Sequence, residues 1–414
     1  MPLLMSMKAR KEYLKQIYQR YRKSSVAGKT TVLDEFTKAT GHNRKYATRI
    51  LNGPLKLEAG PYPGKKETYT SNDVYYLKKI WDILDNPCGV RLKPMVAEMI
   101  AVLERCRELT VPGPVAVHLK RMSAKTMDRR LDSYKQRLIR TIHSTTRPGS
   151  LLKKQIPIVL SRWNEKVPGF TELDLVAHCG MSATGEFIST LNITDLATGW
   201  TESAGVMGKA QERVKDALQA VSQRLPFQLL GIDPDNGSEF INWQLFTYCL
   251  KKQIQFTRGR PGKKNDNPYI EEKNWTHVRK VVGYDRLDTF DELEILNSLY
   301  AGPLRLYLNF FQPVMKLSEK KRIGGKLQKK YDTAKPPYRR VLEAPGIPRA
   351  GKRELTRLYE TLNPVKLKTE IHEHLKLLRK LVKEQRELTQ RKEQAKVTFS
   401  MTQRIPAKVT FLND

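Results

Sequence analysis

The spacing of apolar residues near the N-terminus predicts two short helices after a longer basic one. Tyr13, Ile17 and Tyr21 recur every four positions, which predicts a helix with one apolar face. A second, short apolar helix should end at Gly41, and Asn43 is placed to cap a third. Helix, glycine turn and helix in this order are typical of a helix-turn-helix unit.

The last helix of this unit is expected to bury one face and expose a basic one. We expect the inward residues to be Tyr46, Ala47, Ile50 and Leu51. The outward residues Arg44, Lys45, Thr48 and Arg49 could reach phosphates and base edges in a major groove. From this segment alone, a DNA-reading helix and a basic surface helix of a bundle are equally good interpretations.

A second helical unit of the same kind follows a linker rich in Gly and Pro. It begins near residue 74, and a later short helix ends near residue 122. Ser123 is placed to cap the next helix, which should bury Met127 and Leu131. The basic residues expected to point outward are Lys125, Arg129 and Arg130. Two weak signals of one kind favour tandem DNA-reading units.

The hydrophobic period changes in the central third of the chain. Apolar and alternating runs predict strands, and longer amphipathic stretches predict helices between them. The order β-β-β-α-β-α-β-α predicts a mixed five-stranded sheet with helices packed on its faces. The strands are predicted at 171–179, 186–195, 198–207, 227–233 and 254–260, and the helices at 209–225, at 238–253 and from residue 267.

The C-terminal third returns to helical and basic patterns. A leucine-rich helical stretch follows residue 283, and the basic stretch from 317 to 342 predicts an irregular or β module or an arm that orders on binding. A basic helix from 364 to 392 carries the apolar stripe Ile371, Leu375, Leu378 and Val382, which should pack on another helix or on a partner subunit. The pentapeptide AKVTF occurs at 395–399 and 407–411, which suggests a hairpin, a strand-adding tail or a frayed end. These patterns divide the chain into 1–55, 70–145, 160–285, 286–350 and 351–414.

The 414 residues carry a formal net charge of +32, and its distribution is uneven. Residues 1–160 sum to +19, residues 161–270 to zero and residues 271–414 to +13. Two basic arms around a neutral centre make nucleic acid the leading partner. The apolar run at the N-terminus is too short for a signal peptide, no stretch approaches the ~20 apolar residues of a membrane span, and the four cysteines form no CxxC pair. We therefore expect a soluble cytoplasmic protein.

Three carboxylates fall at positions that suit one metal site. Asp174 lies in the first predicted strand, Asp235 follows the fourth, and Glu271 lies in the first turns of the next helix. Oxygen ligands suit Mg²⁺, with Mn²⁺ as an alternative, and two such ions ~3.5–4 Å apart serve phosphoryl transfer. Taken singly, each acid is better explained as a surface residue or a cap. Asp233 and Glu272 are rivals for the second and third ligand.

The set of motifs resembles the catalytic domain of retroviral integrases and of the related insertion-sequence DDE transposases. Asp174, the run Asp235-Asn236-Gly237 with Phe240, and Glu271 after 35 intervening residues carry this resemblance, together with ITDLATGW. It implies a ribonuclease H-like fold in which Asp174, Asp235 and Glu271 are the catalytic metal ligands. The chain departs from the family because Asn267-Pro268-Tyr269-Ile270 stands where a glycine usually precedes the Glu, and because it lacks the spacing of an HHCC zinc module.

The resemblance also implies a function. The protein would bind the terminal repeats of a bacterial mobile element, hydrolyse a phosphodiester to free a 3′-OH, and transfer that strand into target DNA as a dimer or higher oligomer. The residues expected to contact double-stranded DNA are Arg44, Lys45, Arg49, Lys125, Arg129, Arg130, Lys263 and Lys264. Two alternatives stay open, a helix-turn-helix regulator with an inactive core and a nuclease without strand transfer. The need for a helper ATPase is also open.

Overall fold

The computed structural model describes residues 5–55, 68–138, 167–234, 237, 239–257, 268–323 and 326–402. The chain forms two compact units, Met1–Thr68 and Tyr69–Asp414. Across the described ranges, every helix is too short or too polar to cross a lipid bilayer.

The N-terminal unit contains three helices, α1 (Met7–Lys23), α2 (Val26–Thr40) and α3 (Arg44–Asn52). Gly41 ends α2 with a positive φ of 70°, a conformation that glycine adopts without steric cost. The Asn43 side chain accepts a hydrogen bond of 2.9 Å from the Lys45 amide and so caps α3. The helices, the glycine turn and the cap predicted for this unit are confirmed. Its buried core consists of Ile17, Tyr21, Val32, Leu33, Phe36, Ala47 and Leu51.

One inward position of α3 was predicted wrongly. Tyr46 is 42% exposed, whereas Ala47 and Leu51 are fully buried. Residues four apart share one face of a helix, so 47 and 51 define the buried face and residue 46 lies about 100° away from it. The Tyr46 ring instead contacts His42 edge-on and lies beneath the Arg49 guanidinium.

The second unit opens with four helices, α4 (Ser71–Ile83), α5 (Gly89–Arg105), α6 (Gly113–Arg121) and α7 (Ala124–Leu138). The Ser123 hydroxyl accepts a hydrogen bond of 3.2 Å from the Thr126 amide and caps α7. Met127 and Leu131 are buried. The predicted cap and the predicted inward face of α7 are therefore confirmed.

A mixed sheet of five strands follows, consisting of β1 (Phe170–Ala177), β2 (Ile188–Asp195), β3 (Thr201–Met207), β4 (Gly231–Pro234) and β5 (Gln255–Phe256). The strand order is β3-β2-β1-β4-β5, with β1, β2 and β3 antiparallel and β4 and β5 parallel to β1. This arrangement confirms the predicted mixed sheet and fits a ribonuclease H-like core. The last two strands are shorter than the patterns at 227–233 and 254–260 predicted.

Helices cover both faces of this sheet. α8 (Gln211–Gln223) and α9 (Trp243–Lys252) follow β3 and β4. α10 (Pro268–Lys273) continues into a π-helical turn, Asn274–Arg279, and then α11 (Lys280–Val282). α12 (Phe290–Leu299) and α13 (Arg305–Phe311) flank a second π-helical turn, Tyr300–Leu304. Strand β2 is buried along its whole length because it lies between these layers.

The basic region after the core forms a two-stranded antiparallel hairpin, β6 (Leu317–Ile323) and β7 (Lys326–Tyr331). Helices α14 (Pro337–Glu343), α15 (Arg349–Thr361) and α16 (Pro364–Thr402) follow. The stripe predicted on the last helix is buried at Ile371, Leu375, Leu378 and Val382.

The predicted hairpin of the repeated pentapeptide is wrong for its first copy, because residues 395–399 continue α16. Extending a long helix by one residue costs little, whereas a new hairpin needs its own nucleus. The second copy at 407–411 lies outside the described residues.

The helices α4–α7 share a hydrophobic core with the C-terminal helices. Trp81 of α4, Phe310 of α13, Tyr338 of α14 and Tyr359 of α15 belong to this core. A polar contact joins the same elements, since Glu98 of α5 accepts hydrogen bonds from Arg339 (2.8 Å) and from the Tyr359 hydroxyl (2.5 Å). The boundaries drawn within 70–414 stay predictions.

Candidate active site

Three carboxylates, those of Glu172 and Asp174 on β1 and of Asp233 on β4, lie on one face of the sheet. Glu172 and Asp174 are two residues apart on β1, so their side chains point to the same side. Glu172 is paired in register with Asp233 of the parallel strand β4. This face is covered by α10, which contacts β1 and β2. The sheet therefore brings acidic side chains beneath the helix that carries Glu271.

Glu172 fastens the start of that helix to the sheet. Its carboxylate is 4% exposed and accepts a hydrogen bond of 2.8 Å from the amide of Ile270. An amide in the first turn of a helix has no acceptor within the helix, so a side chain must supply one when the turn is buried. The position of Glu271, the next residue, is thus set by a carboxylate of β1.

Asn274 links the same helix to Asp174. Its side-chain nitrogen donates a hydrogen bond of 2.5 Å to one Asp174 oxygen. The Asn274 oxygen accepts from Asn192 of β2 (3.0 Å), and the Asn192 oxygen accepts from the Ser203 hydroxyl of β3 (3.0 Å). The second Asp174 oxygen accepts from the Leu175 amide at 2.8 Å. A polar chain across three strands therefore orients the Asp174 carboxylate.

The two adjacent acids of α10 have different surroundings. Glu271 is exposed and lies three residues before Asn274, a spacing that places two side chains on one side of a helix. Glu272 forms an ion pair of 3.2 Å with Arg91 of α5. The spacing to Asn274 and the ion pair of Glu272 favour Glu271 as the acid that acts with Asp174, and this choice stays a prediction.

Asp235, the remaining predicted ligand, lies outside the described residues. The register shows only that Leu173 of β1 is paired with Pro234 of β4, and the next positions in sequence are Asp174 and Asp235. The neighbouring placement of β1 and β4, on which the prediction depended, is confirmed. The rival Asp233 accepts a hydrogen bond of 3.0 Å from Thr257. No trio of His, Cys, Asp or Glu suited to a metal ion occurs in the described part of the chain.

Buried polar groups at the end of β1 hold the strand against the helices. His178 contacts the Thr190 hydroxyl at 2.8 Å, which in turn contacts the Tyr300 hydroxyl at 2.9 Å. Burial, aided by the Arg279 charge, lowers the pKa of His178 to about 3. Arg279 also donates a hydrogen bond of 2.8 Å to the Ala177 carbonyl. His178 is therefore neutral at physiological pH and has a packing role.

The residues expected to contact DNA differ in their exposure. Arg44, Lys45 and Arg49 are exposed on α3, and Arg44 forms an ion pair with Asp34. Lys125 and Arg129 are exposed on α7. Arg130 differs from the prediction, since it is half-buried and donates a hydrogen bond of 3.3 Å to the Tyr69 carbonyl. Lys263 and Lys264 lie outside the described residues.

The sequence patterns did not single out Glu172, Asn192 or Asn274. A signal existed for the first, because a carboxylate two positions before Asp174 in a strand must point to the same face. Asn192 lies between Leu191 and Ile193 in a predicted strand, where a buried amide requires a partner. Asn274 follows Glu271 by three residues, which is one helical turn.

No protein-family model matches the chain. The uncharacterized protein y4rM of Sinorhizobium fredii (strain NBRC 101917 / NGR234) is 37% identical over 338 residues, which cover 81% of this chain and 95% of y4rM. The chain belongs to the y4rM family.

Among solved structures, this member of the y4rM family is similar to two retroviral integrase catalytic cores. The catalytic core domain of BIV integrase is 15% identical and covers 42% of this chain and 94% of its own, with a TM-score of 0.29. The HTLV-2 integrase catalytic core domain in complex with magnesium (dimeric form) is 15% identical and covers 36% and 93%, with a TM-score of 0.27.

Proposed function

We propose that this protein is a metal-dependent enzyme that cuts and joins DNA strands, with Asp174, Asp235 and Glu271 as its acidic centre. The observation that carries the proposal is the hydrogen bond from Asn274 to Asp174. It joins the Asp174 carboxylate of β1 to the helix that carries Glu271, and the two bonded residues are 100 positions apart in the chain.

The side chains present fit a hard divalent cation. Asp174 and Glu271 supply carboxylate oxygens, and Glu271 is exposed where a ligand can approach. Mg²⁺ bound there would activate the attacking oxygen and neutralise charge on the leaving oxygen. Asn274 and Asn192 hold the Asp174 carboxylate in one orientation, and Glu172 holds the helix that presents Glu271. Supporting groups of this kind commonly determine the affinity of a carboxylate site.

The proposed reaction has two steps at one site. In the first, a water oxygen bonds to a phosphorus at the element end, and the bond to the 3′ oxygen breaks, which frees a 3′-OH. In the second, that 3′ oxygen bonds to a phosphorus of target DNA and displaces the target's own 3′ oxygen. The exposed residues Lys45 and Arg49 of α3 and Arg129 of α7 would bind phosphates outside the site.

Cleavage and joining of labelled DNA from both flanks of the gene, with Mg²⁺ or Mn²⁺, tests the proposal. Asp174→Asn and Glu271→Gln should each lower both products at least a hundredfold and leave DNA binding intact. Glu272→Gln is the matched control, because this neighbouring acid is paired with Arg91, and it should keep activity within a few-fold of wild type. Equal losses in the two glutamate variants would contradict the assignment of Glu271.

Two results would favour the other interpretations of the sequence. Binding of the flanking DNA without cleavage under any metal condition would indicate a DNA-binding regulator. Cleavage without joined products would indicate a nuclease. The binding and the cleavage measurements both use the full chain.

A further inference from the structure

A cavity of about 560 Å³ lies on the side of α10 that faces away from Asp174. We call it the basic pocket and define it by its charged residues, which are Asp85, Arg91, Glu272, Lys273, Lys280, Lys368 and Arg379. They come from the loop after α4 and from α5, α10, α11 and α16. Lys273 and His277, four residues apart, face the pocket, whereas Glu271 and Asn274 belong to the other side of the helix.

Two buried polar side chains, Lys273 and His277, line the basic pocket. Lys273 is 4% exposed and His277 is 5% exposed. The His277 Nδ1 atom has no hydrogen-bond partner. Among the described residues, none accepts a hydrogen bond from the Lys273 ammonium or forms an ion pair with it. A buried ammonium is costly without a counter-charge, and no ion pair to Lys273 occurs among the described residues, so the basic pocket favours an anion.

The carboxylates of the basic pocket are already paired. Glu272 pairs with Arg91 at 3.2 Å, and Asp85 pairs with Lys280 and lies 3.9 Å from Lys368. Five cationic side chains face two carboxylates, an excess of three positive charges around one cavity. A phosphate group, with a charge of about −1.5 to −2 and three acceptor oxygens, would offset much of this excess.

One part of the wall of the basic pocket is apolar and comes from α11, α13 and α16. Its residues include Val281, Leu308, Ile371 and Leu375, and Tyr307 adds an aromatic ring. A volume of this size is in the usual range for sites of small organic molecules, roughly 300–1,000 Å³. The basic pocket thus offers cationic side chains for a phosphate and apolar side chains for an organic group attached to it.

We propose that the basic pocket binds a phosphate group, carried either by a small organic phosphate such as a nucleotide or by the end of a DNA strand. Lys273 and His277 contact the phosphate, and Arg379 of α16 closes the rim. This site is separate from the acidic centre and does not depend on the proposed DNA cleavage.

Isothermal titration of the full chain with ATP and with pyrophosphate, in EDTA at fixed ionic strength, tests the proposal. EDTA removes divalent ions, so that Asp174 and Glu271 cannot hold phosphate through a metal. Wild type should bind at least one of the two compounds saturably. Lys273→Met should weaken that binding at least tenfold, whereas the exposed control Lys252→Met on α9 and Glu271→Gln should bind as wild type does.

A second variant is needed because Lys273→Met replaces a buried residue and could misfold. Arg379→Gln replaces an exposed residue of the lining and should weaken binding at least threefold, with an unchanged circular dichroism spectrum. Absence of saturable binding of both compounds by wild type would overturn the proposal, and so would equal binding by wild type, Lys273→Met and Arg379→Gln.

A competition experiment distinguishes the two sources of phosphate. A single-stranded oligonucleotide with a 5′-phosphate, and the same strand with a 5′-hydroxyl, are added to wild type with ATP bound. Displacement by the phosphorylated strand alone assigns the basic pocket to a DNA end. Retention of ATP in both cases assigns it to a free organic phosphate. Loss of cleavage in Glu271→Gln with intact ATP binding would show that the two sites are independent.

Discussion

Asn274 donates a hydrogen bond of 2.5 Å to Asp174, although the two residues are 100 positions apart in the chain. The bond connects the π-helical turn after α10 to the middle of β1. Irregular π-helical turns within helices are frequent at functional sites, because they shift a side chain relative to the regular helical positions. This hydrogen bond therefore fixes the distance between Asp174 on the sheet and the helix that carries Glu271.

Asn274→Ala should lower metal-dependent cleavage about 10–100-fold, the usual effect of removing a group that orients a metal ligand. The free Asp174 carboxylate would sample other rotamers, and a higher Mg²⁺ concentration should restore part of the activity. Initial rates over a Mg²⁺ titration measure this effect. Thr276→Ala is the control, since the Thr276 hydroxyl donates a hydrogen bond to the Glu272 carbonyl in its own turn. An unchanged Mg²⁺ dependence in Asn274→Ala would count against the orienting role.

Glu172→Ala should destabilise the protein by about 1–3 kcal/mol, because it leaves the buried Ile270 amide without its acceptor. Glu172→Gln retains an acceptor oxygen and should cost less. Urea unfolding followed by tryptophan fluorescence measures both variants. Hydrogen exchange at the Ile270 amide should also quicken in the alanine variant. Equal stability of the alanine variant and wild type would show that this bond does not hold α10.

The folding stability should depend on the ionisation of His178. Burial lowers the pKa of His178 to about 3 in the folded state, against 6.5 in an unfolded chain. Between pH 3 and pH 6.5, His178 is therefore protonated in the unfolded state and neutral in the folded state. The contribution of His178 is complete above pH 6.5 and falls by up to about 1.4 kcal/mol per pH unit as the pH drops toward 3.

His178→Gln removes this titration and should flatten the decline. The free energy of unfolding should fall by about 1.4 kcal/mol more in wild type than in the variant between pH 7.5 and pH 5.5. Burial raises the pKa of Asp195 to about 6, so its contribution falls as the pH rises through that range. Asp195 is present in both proteins, and the difference between them isolates His178. Parallel pH profiles would refute the prediction.

Arg49→Ala should weaken binding to the element ends and lower the slope of log affinity against log salt by about 1, as expected for the loss of one phosphate contact. Arg49 is exposed on α3 and lies over the Tyr46 ring. Fluorescence anisotropy at several salt concentrations measures the slope. Arg20→Ala is a suitable control, because Arg20 of α1 is paired with Glu35 of α2. Identical slopes for both variants would argue against α3 as the DNA-reading helix.

Local patterns predicted most of the elements because they reflect local physics. The period of apolar residues set the helices, and Gly41, Asn43 and Ser123 marked their ends through backbone conformation and capping. The same reasoning failed at Tyr46, where the choice between two adjacent positions depends on which side of α3 the neighbouring helices occupy. It also failed at 395–399, where a β-prone pentapeptide follows a helix long enough to continue through it.

By itself, the sequence determined the order of strands and helices, the basic arms and the acids worth considering, since these depend on residues close together in the chain. Only the tertiary structure decided that β1 lies beside β4, that Glu172 holds the start of α10, and that Asn274 reaches Asp174. It also placed Lys273 in the basic pocket, on the opposite side of the helix from that contact. The physical reason is that a hydrogen bond or a pocket between distant segments depends on how whole elements pack, and no local period records that packing.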